Sequence, residues 1–226
     1  MIVGLVLFAV FALASWLISN KLKRRFEEYS QVPTSNGMSG KEVAQKMLSD
    51  HGIYGVRIES VEGSLTDHYN PANKTINLSE AVFYGQSVAA AAVAAHECGH
   101  AVQHAAAYQW LGLRSNLVPV VSFASQWMQW ILLVGILLVT TFPAILLAGI
   151  VLFAMTTLFS FITLPVEIDA SNRAVVWIRT SGITNSQTQL KAEDALKWAG
   201  YTYIVAALAS LATLLYYIMI FLGRRD

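Results

Sequence analysis

The sequence predicts a mainly α-helical integral membrane protein, with about four transmembrane helices and a small α+β part that is soluble in character. Three observations predict it. Of the 226 residues, 55% are hydrophobic and 13% charged, with a mean hydropathy of +0.51, more apolar than an ordinary soluble domain. Residues 2–19, 117–139, 142–164 and 203–222 form uncharged apolar runs, and roughly 20 helical residues cross a hydrocarbon core of about 30 Å. The segment between the first and second runs has soluble patterning instead. A net charge of +1 gives no basic field for a nucleic-acid partner.

The first run, "IVGLVLFAVFALASWLIS", carries Ala12 and Ala14 in a small-x-small arrangement that a signal peptidase would accept. No Lys or Arg precedes it, however, and four follow in "KLKRR". That asymmetry identifies an uncleaved anchor. By the positive-inside rule, Lys21, Lys23, Arg24 and Arg25 place its far end in the cytoplasm. Residues 20–116 and 165–202 are then expected on that face, joined by a hairpin, 117–164, that goes out and returns. Of the fifteen Lys and Arg, all but Arg224 and Arg225 fall in those two segments. The expected setting is a multi-pass protein of a bacterial-type plasma membrane. With the single cysteine Cys98 there is no internal disulfide, consistent with a reducing face.

Next, "SGKEVAQKML" opens with Ser39 and Glu42 at capping-box spacing, places Val43, Met47 and Leu48 on one face, and stops at Gly52. "YGVRIESV" and "TINLS" read as strands joined through the turn-forming "DHYNPANK". Two glycosylation triplets, at Asn73 and Asn77, fall here and have no role in cytoplasm. From Ser87 to about Tyr108 the chain reads as one alanine-rich helix. It is not a fifth span, because Glu97, three histidines and Gln103 lie in it and alanine favours insertion little. Pro165 is expected to begin a further helix that ends near Gly182, and "TQLKAEDALKWAGYTYIVAAL" to run unbroken into the last span. The expected organisation is an anchor (1–19), a domain holding the histidine helix (20–116), a transmembrane hairpin (117–164), a helical part (165–202), and a last span with its tail (203–226).

His96 and His100 stand at i and i+4, on one helical face with about 6 Å of rise between them. Two imidazoles so placed can converge on one Zn2+. Glu97 leans over the same ion, giving the arrangement H-E-x-x-H. Zinc lowers the pKa of a bound water and polarises a carbonyl, and the carboxylate can take the proton and hand it to a leaving amine. His104 is about 12 Å from His96 along a straight helix, too far for bonds of about 2.1 Å to one ion, and is expected as a neighbour behind the ligands. Cys98 points away, as a small buried residue.

A third protein ligand must come from elsewhere, and "PVEIDASNRA" offers Glu167 and Asp169 on opposite faces. Glu167 shares its face with Ala170, Ser171 and Ala174, small residues that let two helices approach closely. It is the expected ligand, with the fourth position left to water. Asp169 shares its face with Arg173, an i,i+4 ion pair, and could orient a ligand histidine from behind. Arg173 and His68 are the candidates for stabilising a polarised carbonyl.

The run "LTDHYNPANKTINLSEAVFYGQSVAAAAVAAHECGHAVQH", with "LPVEIDASNRAVVWI" and "LKWAGYTYIVAALASLATLLYYI", resembles the YugP-type membrane neutral zinc metallopeptidases, relatives of the HtpX-like proteases. The likeness runs from about Tyr29 to Ile220. It implies a zincin-like α+β metalloprotease domain of gluzincin type, with His96, His100 and Glu167 holding one zinc and Glu97 as general base. Two positions depart from the pattern. HtpX relatives usually carry Asp where Ser171 stands, leaving Asp169 as the acidic substitute, and Cys98 fills a position usually aliphatic in the YugP type.

Motif and resemblance together lead to a membrane zinc endopeptidase acting on peptide or protein substrates, with its active site facing the cytoplasm. An extended substrate is expected against an exposed strand around residues 75–79. Proteolysis within the bilayer would need the His96 helix in lipid, against its composition. The non-enzymatic alternative is a membrane scaffold or quality-control partner in which zinc ties two helices together, although structural zinc normally takes four protein ligands. The bilayer is one partner; an oligomer or a membrane partner is left open.

Overall fold

The computed structural model describes residues 2–223; the expectation for Arg224 and Arg225 lies outside them. Helices dominate: α1 (Ile2–Ser30), α2 (Gly40–Asp50), α3 (Glu80–Phe83), α4 (Val88–Ala105), α5 (Gln109–Leu137), α6 (Pro143–Ser181) and α7 (Ser186–Gly223). Three short strands, β1 (Arg57–Val61), β2 (His68–Asn70) and β3 (Thr75–Ser79), form one sheet. Four helices, α1, α5, α6 and α7, are long and apolar enough to cross a membrane.

The chain divides into two compact units: residues up to Leu17 with Gly112–Pro165 and the chain from Thr202, and Ile18–Leu111 with Val166–Tyr201. The first unit is built from apolar helix segments. Leu132, Leu146 and Ile150 form its core, and a Cβ on Gly135 would lie 2.6 Å from Leu146 Cα, so α5 and α6 meet backbone to backbone, as small residues permit in lipid. Phe8, Phe123, Trp130 and Leu137 stand exposed on this unit, the surface expected of a part that faces hydrocarbon.

In the second unit the order is β1-β3-β2, with β1 parallel and β2 antiparallel to β3. β3 is the centre, buried along its whole length. Its apolar residues Ile76 and Leu78 enter the main core beside Val43, Met47 and Leu48 of α2 and the alanines of α4. Its polar residues are satisfied: Asn77 Nδ2 donates to Thr75 Oγ1, and Ser79 bonds Asp67. Ser39 and Glu42 form the full capping box that starts α2. Ser87 caps α4 by accepting from Ala90 N at 3.2 Å.

Three expectations change. Pro165 does not begin a helix; it stands inside α6, which runs unbroken for 39 residues. The "DHYN" stretch, expected as connection, contributes β2, because the Asn70 side chain accepts from Ala72 N and closes a tight return after only three paired residues. Finally, β3 is flanked on both sides, so residues 75–79 have no free edge to offer an extended substrate; the open edges belong to β1 and β2.

Candidate metal centre

Helix α4 is made for close approach. Ala91, Ala94, Ala95 and Cys98 are fully buried, and at Gly99 an added Cβ would lie 2.5 Å from the Ala170 carbonyl oxygen. The α4 and α6 backbones therefore touch between His96 and His100 on one side and Glu167 on the other. His96 Nε2 lies 3.2 Å from Glu167 Oε2, and His100 Nε2 lies 3.6 Å from the same oxygen. One donor atom from each of the three falls within 4.8 Å of the others, a set that could hold a metal ion. Two imidazoles and one carboxylate, all converging, match the ligand chemistry of zinc with a position left open.

The electrostatics favour a cation at this point. Burial opposes the Glu167 charge, but hydrogen bonds and charge from His100 and His96 outweigh it and hold the carboxyl well below the usual carboxylate range. Burial likewise works against a charged His100, yet the Glu167 hydrogen bond and the charges of Glu97 and Glu167 raise it above an ordinary histidine. The attraction that would hold an imidazolium here is the one a dication would use.

Glu97 is buried one residue beyond His96, and its Oε2 accepts from the Tyr69 backbone N–H at 3.0 Å. The outer edge of β2 is thereby set against the site. His104 does not join the three converging residues; its Nδ1 meets the Tyr69 hydroxyl at 2.7 Å. His68 engages Thr66 O and Asn77 instead. Cys98 points into the core, where burial, with Glu97 nearby, pushes its thiol well above its ordinary value.

Behind the histidines the arrangement differs from the expectation. Ser171 Oγ, not Asp169, sits 3.1 Å from His96 Nδ1. Asp169 accepts from Arg173 Nε at 2.6 Å and from Gln103 Nε2 at 2.8 Å, while Gln103 Oε1 lies 3.0 Å from His100 Nδ1. Asp169 thus reaches a histidine only through Gln103, and Arg173 is spent on Asp169 and the Tyr108 ring. In the sequence Gln103 registers only as a polar residue unsuited to lipid. Its position at i+3 from His100 was the available signal.

A chain that brings the two histidines of an H-E-x-x-H motif on α4 together with a glutamate of α6, and has four helices fit to cross a membrane among the described residues, has the makings of a membrane metallopeptidase. Residues 4–222 match the family described as "Putative neutral zinc metallopeptidase", and the chain belongs to that family, a family of zinc peptidases. It is 44% identical over 206 residues to the "Putative membrane protease YugP" of Bacillus subtilis (strain 168), an overlap covering 91% of each chain. No solved structure matches it.

Proposed function

We propose that the protein is a zinc metalloendopeptidase of gluzincin type, with a zincin-like domain in residues 20–116 whose zinc site is completed by the helical part 165–202. His96, His100 and Glu167 hold the zinc and Glu97 is the general base. The single observation that carries this is the convergence of those three donors within 4.8 Å beside a buried Glu97. Zinc, when bound, supplies Lewis acidity toward the scissile carbonyl and acidifies a water. Glu97 takes the proton of the attacking water and delivers it to the departing amine nitrogen. The Tyr69 N–H on Oε2 fixes the carboxylate and leaves Oε1 for that proton.

The scaffold alternative fits the donor set less well, since the cluster contains three metal-ligating side chains among the described residues, where structural zinc takes four. The comparison that decides is Glu97→Gln against the parent, scoring bound zinc and cleavage of an unfolded model protein. The expected outcome is unchanged zinc with cleavage down by about 10²-fold or more. Equal cleavage by both proteins would sink the protease reading.

A further inference from the structure

Gln103 is completely buried, and an amide has two N–H donors and one carbonyl acceptor. Its Nε2 lies 2.7 Å from the Val166 carbonyl oxygen and 2.8 Å from Asp169 Oδ2. Both partners act as acceptors: one is a backbone carbonyl, and the other is the Asp169 oxygen that also accepts from Arg173 Nε at 2.6 Å. The two amide protons are therefore committed. Flipping the amide would turn Oε1 against two acceptors inside the core, where unmatched polar atoms are expensive. Oε1 is left facing His100 Nδ1 at 3.0 Å, and it can only accept. Nδ1 must carry the proton, and a neutral imidazole protonated there has its lone pair on Nε2, the nitrogen directed at Glu167.

We infer that Gln103 is a positioning residue for the metal centre, fixing His100 in the tautomer and ring plane in which Nε2 is the ligand, and that Asp169 and Arg173 act on the centre through it. This rests on the assignment of His96, His100 and Glu167 as zinc ligands. The two histidines are not equivalent. Ser171 beside His96 Nδ1 has a hydroxyl that can donate or accept, so it follows the tautomer of His96 rather than dictating it. Gln103 has no such freedom.

A plainer role for Gln103 would be to tie α4 to α6 through Val166 and Asp169. Zinc affinity separates the two roles, measured on the full-length detergent-solubilised protein by competition with a chromophoric chelator. Gln103→Met keeps the length and loses the acceptor; zinc should bind 10–100-fold more weakly, the range for removing such a partner. In the zinc-loaded parent the His100 Nδ1–H, held by Oε1, should give a slowly exchanging low-field proton resonance, and Gln103→Met should lose it. If Gln103 only ties helices, Gln103→Met lowers thermal stability but leaves zinc affinity at the parent value, and that result overturns the inference. Should Gln103→Met fail to fold, as judged by thermal unfolding of the metal-free protein, the parent resonance decides alone: its presence supports, its absence overturns. His100→Ala serves as the control. If it binds zinc like the parent, the ligand assignment itself falls and the inference with it. If it loses zinc while Gln103→Met does not, only the role of Gln103 falls.

Discussion

Glu97 and Cys98 are neighbours on α4 about 100° apart, and that rotation separates their environments. Glu97 meets the β2 edge, whereas Cys98 is enclosed in the core against α2, with its sulfur 3.5 Å from the Ala44 carbonyl. A fully buried thiol whose pKa burial has raised is doubly protected from alkylation, by access and by lack of thiolate. Folded protein at pH 8 should therefore leave a thiol-specific dye unreacted, and one equivalent should react after unfolding in denaturant; one equivalent reacting in the folded protein would contradict the packing of α4. At this scale the sequence was most legible where helical geometry alone decides. The i,i+4 spacing brought His96 and His100 to one face, and the small residues beside Glu167 marked the side that α6 turns to α4. Ser171 and Gln103 were hidden because their partners are set by distances across two helices, which no local pattern encodes.

Among the elements, the contact of α4 with α6 is set by absence of bulk. Gly99 lies between the two histidines, against the Ala170 carbonyl. Gly99→Val must push the helices apart, moving Glu167 from both imidazoles together. Overpacking of this kind costs about 1–3 kcal/mol, so a fall in thermal stability of that size, with zinc content well below one per chain, is expected from unfolding curves and metal analysis of the purified variant. A fully loaded variant of unchanged stability would show that the contact does not set the site. The helix α2 was legible to the residue at its start, because a capping box is a local device. Pro165 misled for the opposite reason. Its ring removes one N–H donor and disfavours the turn before it, yet in an apolar helix neighbouring groups absorb that loss, and α6 continues. Strand β2 escaped notice because three residues carry no readable alternation, and pairing with β3 supplies the order that its own sequence lacks.

At the scale of the whole molecule, apolar length and charge carry separate information. The four long apolar helices were visible as composition, since lipid demands roughly 20 uncharged residues from each span. Orientation rests on charge: Lys21, Lys23, Arg24 and Arg25 follow the first span directly, and we read residues 20–116 as cytoplasmic on that basis. Lys74, exposed at a left-handed turn before β3, is a convenient reporter. In a variant that keeps it as the only lysine, with the other six replaced by arginine so that the charges after the first span remain, an impermeant amine reagent should modify it only after the cells are permeabilised. Labelling of intact cells would reverse the orientation and place the metal centre on the outer face.

The unbroken course of α6 bears on how such a chain can change over time. Glu167 at the metal centre and the buried Ala170, Ala174 and Ile178 of the same unit follow one another along it. Each residue adds about 100° of rotation and 1.5 Å of length, so a single insertion between Glu167 and Ala170 would swing the carboxylate more than a quarter turn from its phase with that packing stripe. Residues there can exchange for others of like size, whereas their number cannot change. Drift in composition but constancy in length is the mark this helix should leave on its descendants, with insertions confined to the turns on either side.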